Sequence, residues 1–202
     1  EAEISIYGPI GGFDINAKDF AEDLKGMEVD TIHLRVDSPG GSVIDGISIF
    51  NALQRHPAKV ITHIDSLAAS MGSVVAMAGN EIRMANNALL MIHEPWTVAM
   101  GNADELRKNA DTLEKMSGNI LQAYSRSQYT PEEVADLMKS ETWMTAQDAL
   151  DAGFVDYIDD GMKAVASIVD AANSAKLQVP TEKLIASMTG KLDAVAKQRD
   201  EI

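Results

Sequence analysis

The sequence predicts an α/β fold with largely parallel strand pairing. Three observations point there: short runs of alternating or continuous apolar residues, segments with helical apolar spacing that follow them in turn, and Gly or Pro clusters between the two. The chain has 202 residues, 46% of them hydrophobic, enough to bury a core of ordinary single-domain size.

The elements follow in chain order. "AEISIYGPI" alternates and closes on Gly-Pro, so it is a strand. "NAKDFAEDLKGM" is a helix with Asn16 as N-cap, Phe20 and Leu24 on one face and Gly26 at its end. "VDTIHLRVDSPGG" alternates Ile32, Leu34 and Val36 with polar residues and breaks at Pro39-Gly40-Gly41. The next segment, "SVIDGISIFNALQRHP", spaces Val43, Ile47, Phe50 and Leu53 as a helix does. "AKVITHIDS" gives a third strand, "SMGSVVAMAGN" a third helix, and "EIRMANNALLMIHEP" one or two further strands ending at Pro95. A long helix is predicted from Asn102 to about Gln128. Asn102 and Glu105 fit a capping box, and Leu106, Leu113, Met116, Ile120 and Tyr124 form its stripe. "TPEEVADLMKS" is a short helix with Pro131 in its first turn. "MTAQDALDAGFVDYI" reads as another, capped by Thr145 and stopped by Gly153 before a last strand.

Composition changes near Gly161. The expected organisation is a body over 1–162 and an appended helical tail over 163–202, with Leu184, Met188, Leu192 and Val195 along one face after Pro180. Of 17 basic and 31 acidic residues, six and five fall from Lys163 onward, so the formal charge of -14 is carried by the body. That charge opposes attraction to phosphate backbones, and no nucleic acid is expected as a partner. No run is apolar enough to span a bilayer. The start "EAEISIYGPIGG" has neither the basic nor the apolar part of a signal peptide, so a cytoplasmic location without membrane attachment is expected. Zero cysteines exclude disulfides, thiolate metal sites and a Cys nucleophile. Four scattered histidines give no metal motif, so neither a metal nor another cofactor is expected.

Three junctions carry residues suited to chemistry. In "HIDSLAASMGSVVAMAG" a hydroxyl, Ser70, stands where a strand passes into a helix of small residues. A serine needs a base to take its proton and donors for the oxyanion it creates. Backbone N–H groups in a first helical turn lack internal partners, so the Met71 N–H can serve beside Ser70. This follows the logic of a nucleophile elbow, with Ala68 where the G-x-S-x-G pattern has its first glycine. Small residues that let helices pack closely are the simpler account of the same stretch. "DSPGGS" offers Gly41, whose N–H can be a second oxyanion donor or pair with a bound peptide, against the alternative of a plain turn. "LLMIHEPW" places His93 at a strand terminus, where loops build sites. His33 and His63 lie inside strands, and His56 lies in a helix-ending loop. A third group should orient the imidazole: Glu141 is the candidate, with Asp136, Asp148 and Asp156 as rivals.

Together, "DSPGG", "AASMG", "IHEP" and "WMTAQDALDAGFVD", in this order and at these separations, resemble the Clp protease proteolytic subunit (ClpP) family over roughly Ile4 to Ile158. "NAKDF", "IFNALQRHPAKV", "VVAMAGN" and "IHEPWTVAMGNADELRK" are most similar to its phage and prophage members, the head maturation proteases. The resemblance implies a crotonase-like α/β superhelical fold with a protruding long helix, and serine endopeptidase activity on peptide or protein substrates. It also implies ring-forming homo-oligomers, with phage capsid or scaffold proteins as partners. It assigns Ser70 as nucleophile, His93 as general base and the N–H groups of Gly41 and Met71 as oxyanion hole, and it leaves Ser66 without a catalytic role. Glu141 replaces the aspartate found in most ClpP chains, one methylene longer. No segment precedes the first strand here, which puts an ATPase partner in doubt. Two alternatives share parts of the pattern: a crotonase-fold acyl-CoA enzyme, which needs no Ser-His pair, and a catalytically silent shell or scaffold protein.

Overall fold

The computed structural model describes residues 1–12 and 15–159. The strands are β1 (Ala2–Tyr7), β2 (Thr31–Ser38), β3 (Lys59–Ala69), β4 (Glu81–Ala85), β5 (Leu89–Ile92), β6 (Thr142–Thr145) and β7 (Tyr157–Asp159). The helices are α1 (Ala17–Lys25), α2 (Val43–Arg55), α3 (Met71–Ala76), α4 (Ala103–Leu121), α5 (Pro131–Lys139) and α6 (Ala146–Asp151). The tail expected over 163–202, its boundary with the body, and the stripe of Leu184, Met188, Leu192 and Val195 lie outside the described residues.

Strand order is β1-β2-β3-β4-β7, all parallel, as strand-helix alternation predicts. β3 is the long member and forks. Ile61–Ile64 pair with β4, while Leu67–Ala69 pair with β5, which continues antiparallel into β6. Alternation in "TIHLRVDS" becomes sidedness: Ile32, Leu34, Val36 and Ser38 are buried while their neighbours are partly exposed. Ile6, Val60, Ile64, Ile82 and Met84 join the core from the adjacent strands. The opposite face carries a polar row instead, with Arg35 bonded to Asp65, Tyr7 donating to Asp65 and His33 against His63.

Capping matches the sequence in α1 (Asn16), α4 (Asn102 with Glu105) and α6 (Thr145); α5 has Pro131 in its first turn as expected, behind a Thr130 cap that the structure adds. Three expectations need correction. The face of α2 is turned from the predicted stripe: Gly46, Ile49 and Leu53 are buried, while Val43, Ile47 and Phe50 lie half-buried beside them. The cause is Gly46, whose missing Cβ leaves room for the buried Met71 side chain, so α2 and α3 meet there. The long helix stops at Leu121 rather than Gln128. A 3-10 turn over Gln122–Tyr124 swings Tyr124 into the core, edge-on to Phe154 at 5.9 Å between ring centroids. Finally, the stretch before the Thr145 cap is itself a strand, β6, which the sequence reading lacked: pairing with β5 buries Met144 opposite Leu90.

The first half of α4 is wholly exposed, from Ala103 to Thr112. Leu113 and Met116 are half-buried and Ile120 is buried. No helix among the described residues is long and apolar enough to cross a membrane.

Candidate active site

Three parallel strands end side by side. Ser38 at the end of β2 pairs with Ala68, Ala69 at the end of β3 pairs with Met91, and the Ser70 N–H donates to Met91 O at 3.0 Å. That register brings together residues 38–41, 70–71 and 93, which are distant in sequence. Carboxyl ends of parallel strands are where α/β sheets build sites.

Ser70 links β3 to α3 at φ 53, ψ -125, a backbone region that non-glycine residues rarely occupy. Its side chain caps nothing. Instead Ser70 Oγ lies 2.8 Å from His93 Nε2. Small residues make this turn possible. Ala68 and Ala69 are buried, and a Cβ on Gly72 would lie 2.8 Å from Ser38 O. With Nε2 unprotonated, the Ser70 hydroxyl donates to it and the Nδ1–H faces Glu141, whose Oε2 is 3.8 Å away. This distance is too long for a hydrogen bond, and it becomes an ion-pair contact only when the imidazole takes up a second proton. Glu141 sits at φ 47, its side chain 59% exposed, and its other oxygen accepts from Trp143 Nε1 at 3.3 Å.

The Pro39-Gly40-Gly41 loop lies against the Ser70 turn. Gly40 (φ +94) approaches so closely that a Cβ there would lie 2.6 Å from Ser70 Cβ and 2.9 Å from Met71 N. The loop is pinned by Ile10 N–H to Gly40 O and Ser42 N–H to Ile10 O, both 2.8 Å. Ser42 then caps α2, and its hydroxyl, with the Ala17 N–H, holds the Asp45 carboxyl below the usual carboxylate range. Among the described residues, neither the Gly41 nor the Met71 N–H donates within the chain. Between these parts opens a cleft of about 480 Å³, lined by Val43, Met91, Pro95 and Trp96 together with Gly40, Ser70 and His93, and no Asp, Glu, Lys or Arg lines it.

The rivals sit elsewhere. Asp136 pairs with Lys139, Asp148 bonds Thr145, and Asp156 holds Arg126 and the Ile82 N–H. His33 and His63 face each other at 3.0 Å on the open sheet face, and His56 accepts from Ala58 N–H. Ser66 donates to Asp37 at 2.5 Å. Among the described residues no group of three or more His, Asp or Glu is placed to hold a metal ion.

Sequence reasoning missed Ser38, Ser73, Tyr124 and Trp143. Ser38 is fully buried, donates to Gly8 O at 2.7 Å and accepts from Gly40 N–H at 3.1 Å, bracing the glycine loop. A signal existed: Ser38 occupies the inward phase of β2, where a polar residue must find buried partners.

The chain is similar to known proteins over most of its length. Residues 1–161 match the family described as Clp protease. The chain is 31% identical over 138 residues to ATP-dependent Clp protease proteolytic subunit 1 of Leifsonia xyli, covering 67% of this chain and 70% of that one. Proteolytic subunit 3 of Rhodococcus jostii is 33% identical over 140 residues (67% and 68% covered). Proteolytic subunit 2 of Tropheryma whipplei is 32% identical over 147 residues (71% and 77% covered).

Proposed function

We propose, from the premise that the chain belongs to the Clp protease family, that this serine-type endopeptidase works through Ser70 as nucleophile, His93 as general base and Glu141 as the group that orients the imidazole. The observation that carries the reading is the 2.8 Å contact of Ser70 Oγ with His93 Nε2, made by a serine held at φ 53 on the turn that feeds α3. His93 takes the hydroxyl proton as Oγ attacks a peptide carbonyl. The carbonyl π electrons move to oxygen, and the N–H groups of Gly41 and Met71 receive that oxyanion. When the tetrahedral species collapses, the C–N bond breaks and imidazolium returns the proton to the departing amine, leaving an acyl ester on Ser70. Water, deprotonated by His93, then hydrolyses the ester.

The uncharged cleft suits an extended segment with an apolar side chain next to the scissile bond. Two finer readings belong to this proposal. The exposed half of α4 and the exposed Trp96, Val98 and Met100 support assembly into rings through this edge. The stretches "NAKDF" and "IHEPWTVAMGNADELRK" support a role in phage head maturation, with capsid or scaffold proteins as substrates. Co-expression with such proteins should give their cleavage only in the presence of Ser70.

Labelling with a serine-directed fluorophosphonate tests the core of the reading. Wild type should be labelled at Ser70, Ser70→Ala should lose labelling and hydrolysis, and Ser66→Ala should retain most of both. Undiminished hydrolysis by Ser70→Ala would refute it.

A further inference from the structure

Beneath the candidate nucleophile the apolar core contains two hydroxyls that the chemistry above does not use. Ser73 on α3 is fully buried, and Tyr124, on the turn after α4, is 1% exposed. Ser73 Oγ lies 2.6 Å from Ser70 O and 2.9 Å from Tyr124 Oη. A carbonyl only accepts, so Ser73 gives its single proton to Ser70 O, and Tyr124 must be the donor to Ser73. Burial drives the phenol pKa up, which keeps that proton in place. The direction of the relay is therefore fixed: Tyr124 O–H to Ser73 O–H to Ser70 C=O. The same carbonyl also accepts the N–H groups of Ser73 at 3.0 Å and Val74 at 3.3 Å.

The Ser70 carbonyl is one end of the peptide unit whose other end is the Met71 N–H. That unit is planar and trans, so anchoring the oxygen in the core turns the N–H the opposite way. Accepting strong hydrogen bonds also shifts amide resonance toward the C–N double bond. The N–H at the far end then becomes a better donor, as in any cooperative chain of hydrogen bonds.

We propose that Ser73 and Tyr124 are positioning residues for the oxyanion hole, their relay holding and polarising the Ser70–Met71 peptide so that the Met71 N–H is fixed for the developing oxyanion. The inference rests on the reading of Ser70 as nucleophile. Its signature is transition-state stabilisation lost without loss of substrate binding.

The experiment compares wild type, Ser73→Ala, Tyr124→Phe and the double variant in kcat, KM, the pH dependence of kcat/KM, thermal midpoint, and affinity for a peptide boronic acid, whose tetrahedral adduct places an oxygen where the oxyanion forms. Ser73→Ala should lower kcat about tenfold, less than the roughly 10²–10³ that follows outright loss of an oxyanion donor. Tyr124→Phe, which removes one oxygen and creates no cavity, should have a smaller effect of the same kind. In both, KM and the pH midpoint should stay put, and boronate affinity should fall by the same factor as kcat/KM. The double variant should be no worse than Ser73→Ala, because Tyr124 acts only through Ser73. Wild-type kcat and boronate affinity in both single variants would overturn the proposal. So would losses that add in the double variant, or that appear as a raised KM with a shifted pH midpoint. Wild type failing to label at Ser70 would instead mark failure of the nucleophile assignment on which the proposal stands.

Discussion

Replacing Glu141 by Gln removes a charge and keeps the side chain's length. At 3.8 Å from His93 Nδ1, a unit charge stabilises an imidazolium by about 1 kcal/mol in water and about 4 kcal/mol at the effective dielectric of a partly buried surface pair. The Glu141 side chain is 59% exposed and His93 16%, so the solvated end of that range applies. A loss of about 1–2 kcal/mol follows, or about 5–30-fold in kcat/KM. This is far below the roughly 10⁴-fold cost of neutralising a carboxylate that is directly hydrogen-bonded to its histidine. The assay is kcat/KM on a fluorogenic peptide, with the oligomeric state of both proteins matched by sedimentation. A fall of 10³ or more would show that the working enzyme holds Glu141 in direct hydrogen-bond contact. No fall would show that the carboxylate does not act on His93 at all.

Gly40→Ala forces a Cβ to 2.6 Å from Ser70 Cβ at φ +94; at least a 100-fold loss of fluorophosphonate labelling rate is expected, with thermal stability also reduced, and wild-type labelling would refute the packing of loop on turn. His63 has its pKa lowered by burial first, then by Arg35 and His33, while Asp159 and Asp65 pull the other way. The unfolded chain therefore binds more protons than the folded one below about pH 6.5, so stability is fully present above that pH and declines as pH falls beneath it. Denaturant midpoints from pH 5 to 7.5 should show this slope in wild type and a weaker one in His63→Gln; equal slopes would contradict it. For ring assembly, Leu106→Glu is the clean perturbation, because Leu106 is 43% exposed whereas Leu113 and Met116 are half-buried in the cleft beside Trp96. It should shift sedimentation toward smaller species at an unchanged melting temperature, and an unaltered profile would exclude this face of α4 from contact.

Much of this architecture was legible because it depends on local chemistry. Alternation in Ile32, Leu34 and Val36 set the buried side of β2, and the side chains of Asn16, Asn102 and Thr145 could cap their helices without long-range information. Ser70, His93 and the glycine loop were visible for the same reason: each stands at a strand end, and strand ends show in the sequence as breaks in periodicity.

What failed was whatever depends on a partner far along the chain. The four residues of β6 are a strand only because β5 lies beside them, and α2 turns its face because Met71 fits against Gly46. The sequence could name Glu141, but whether its carboxylate touches His93 or stops at 3.8 Å depends on a left-handed backbone angle and on Trp143. Likewise Ser73 reads as one more small residue in a buried helix, and Tyr124 as one more member of a stripe. They meet only after α4 ends early and its final turn enters the core, since a hydrogen bond between residues 51 positions apart is set by packing and leaves no periodic trace. The sequence by itself determined the types of most elements, several of their caps and the candidate side chains for the chemistry; tertiary structure decided which of those side chains touch, because contact depends on register and packing, to which each residue contributes only through its distant neighbours.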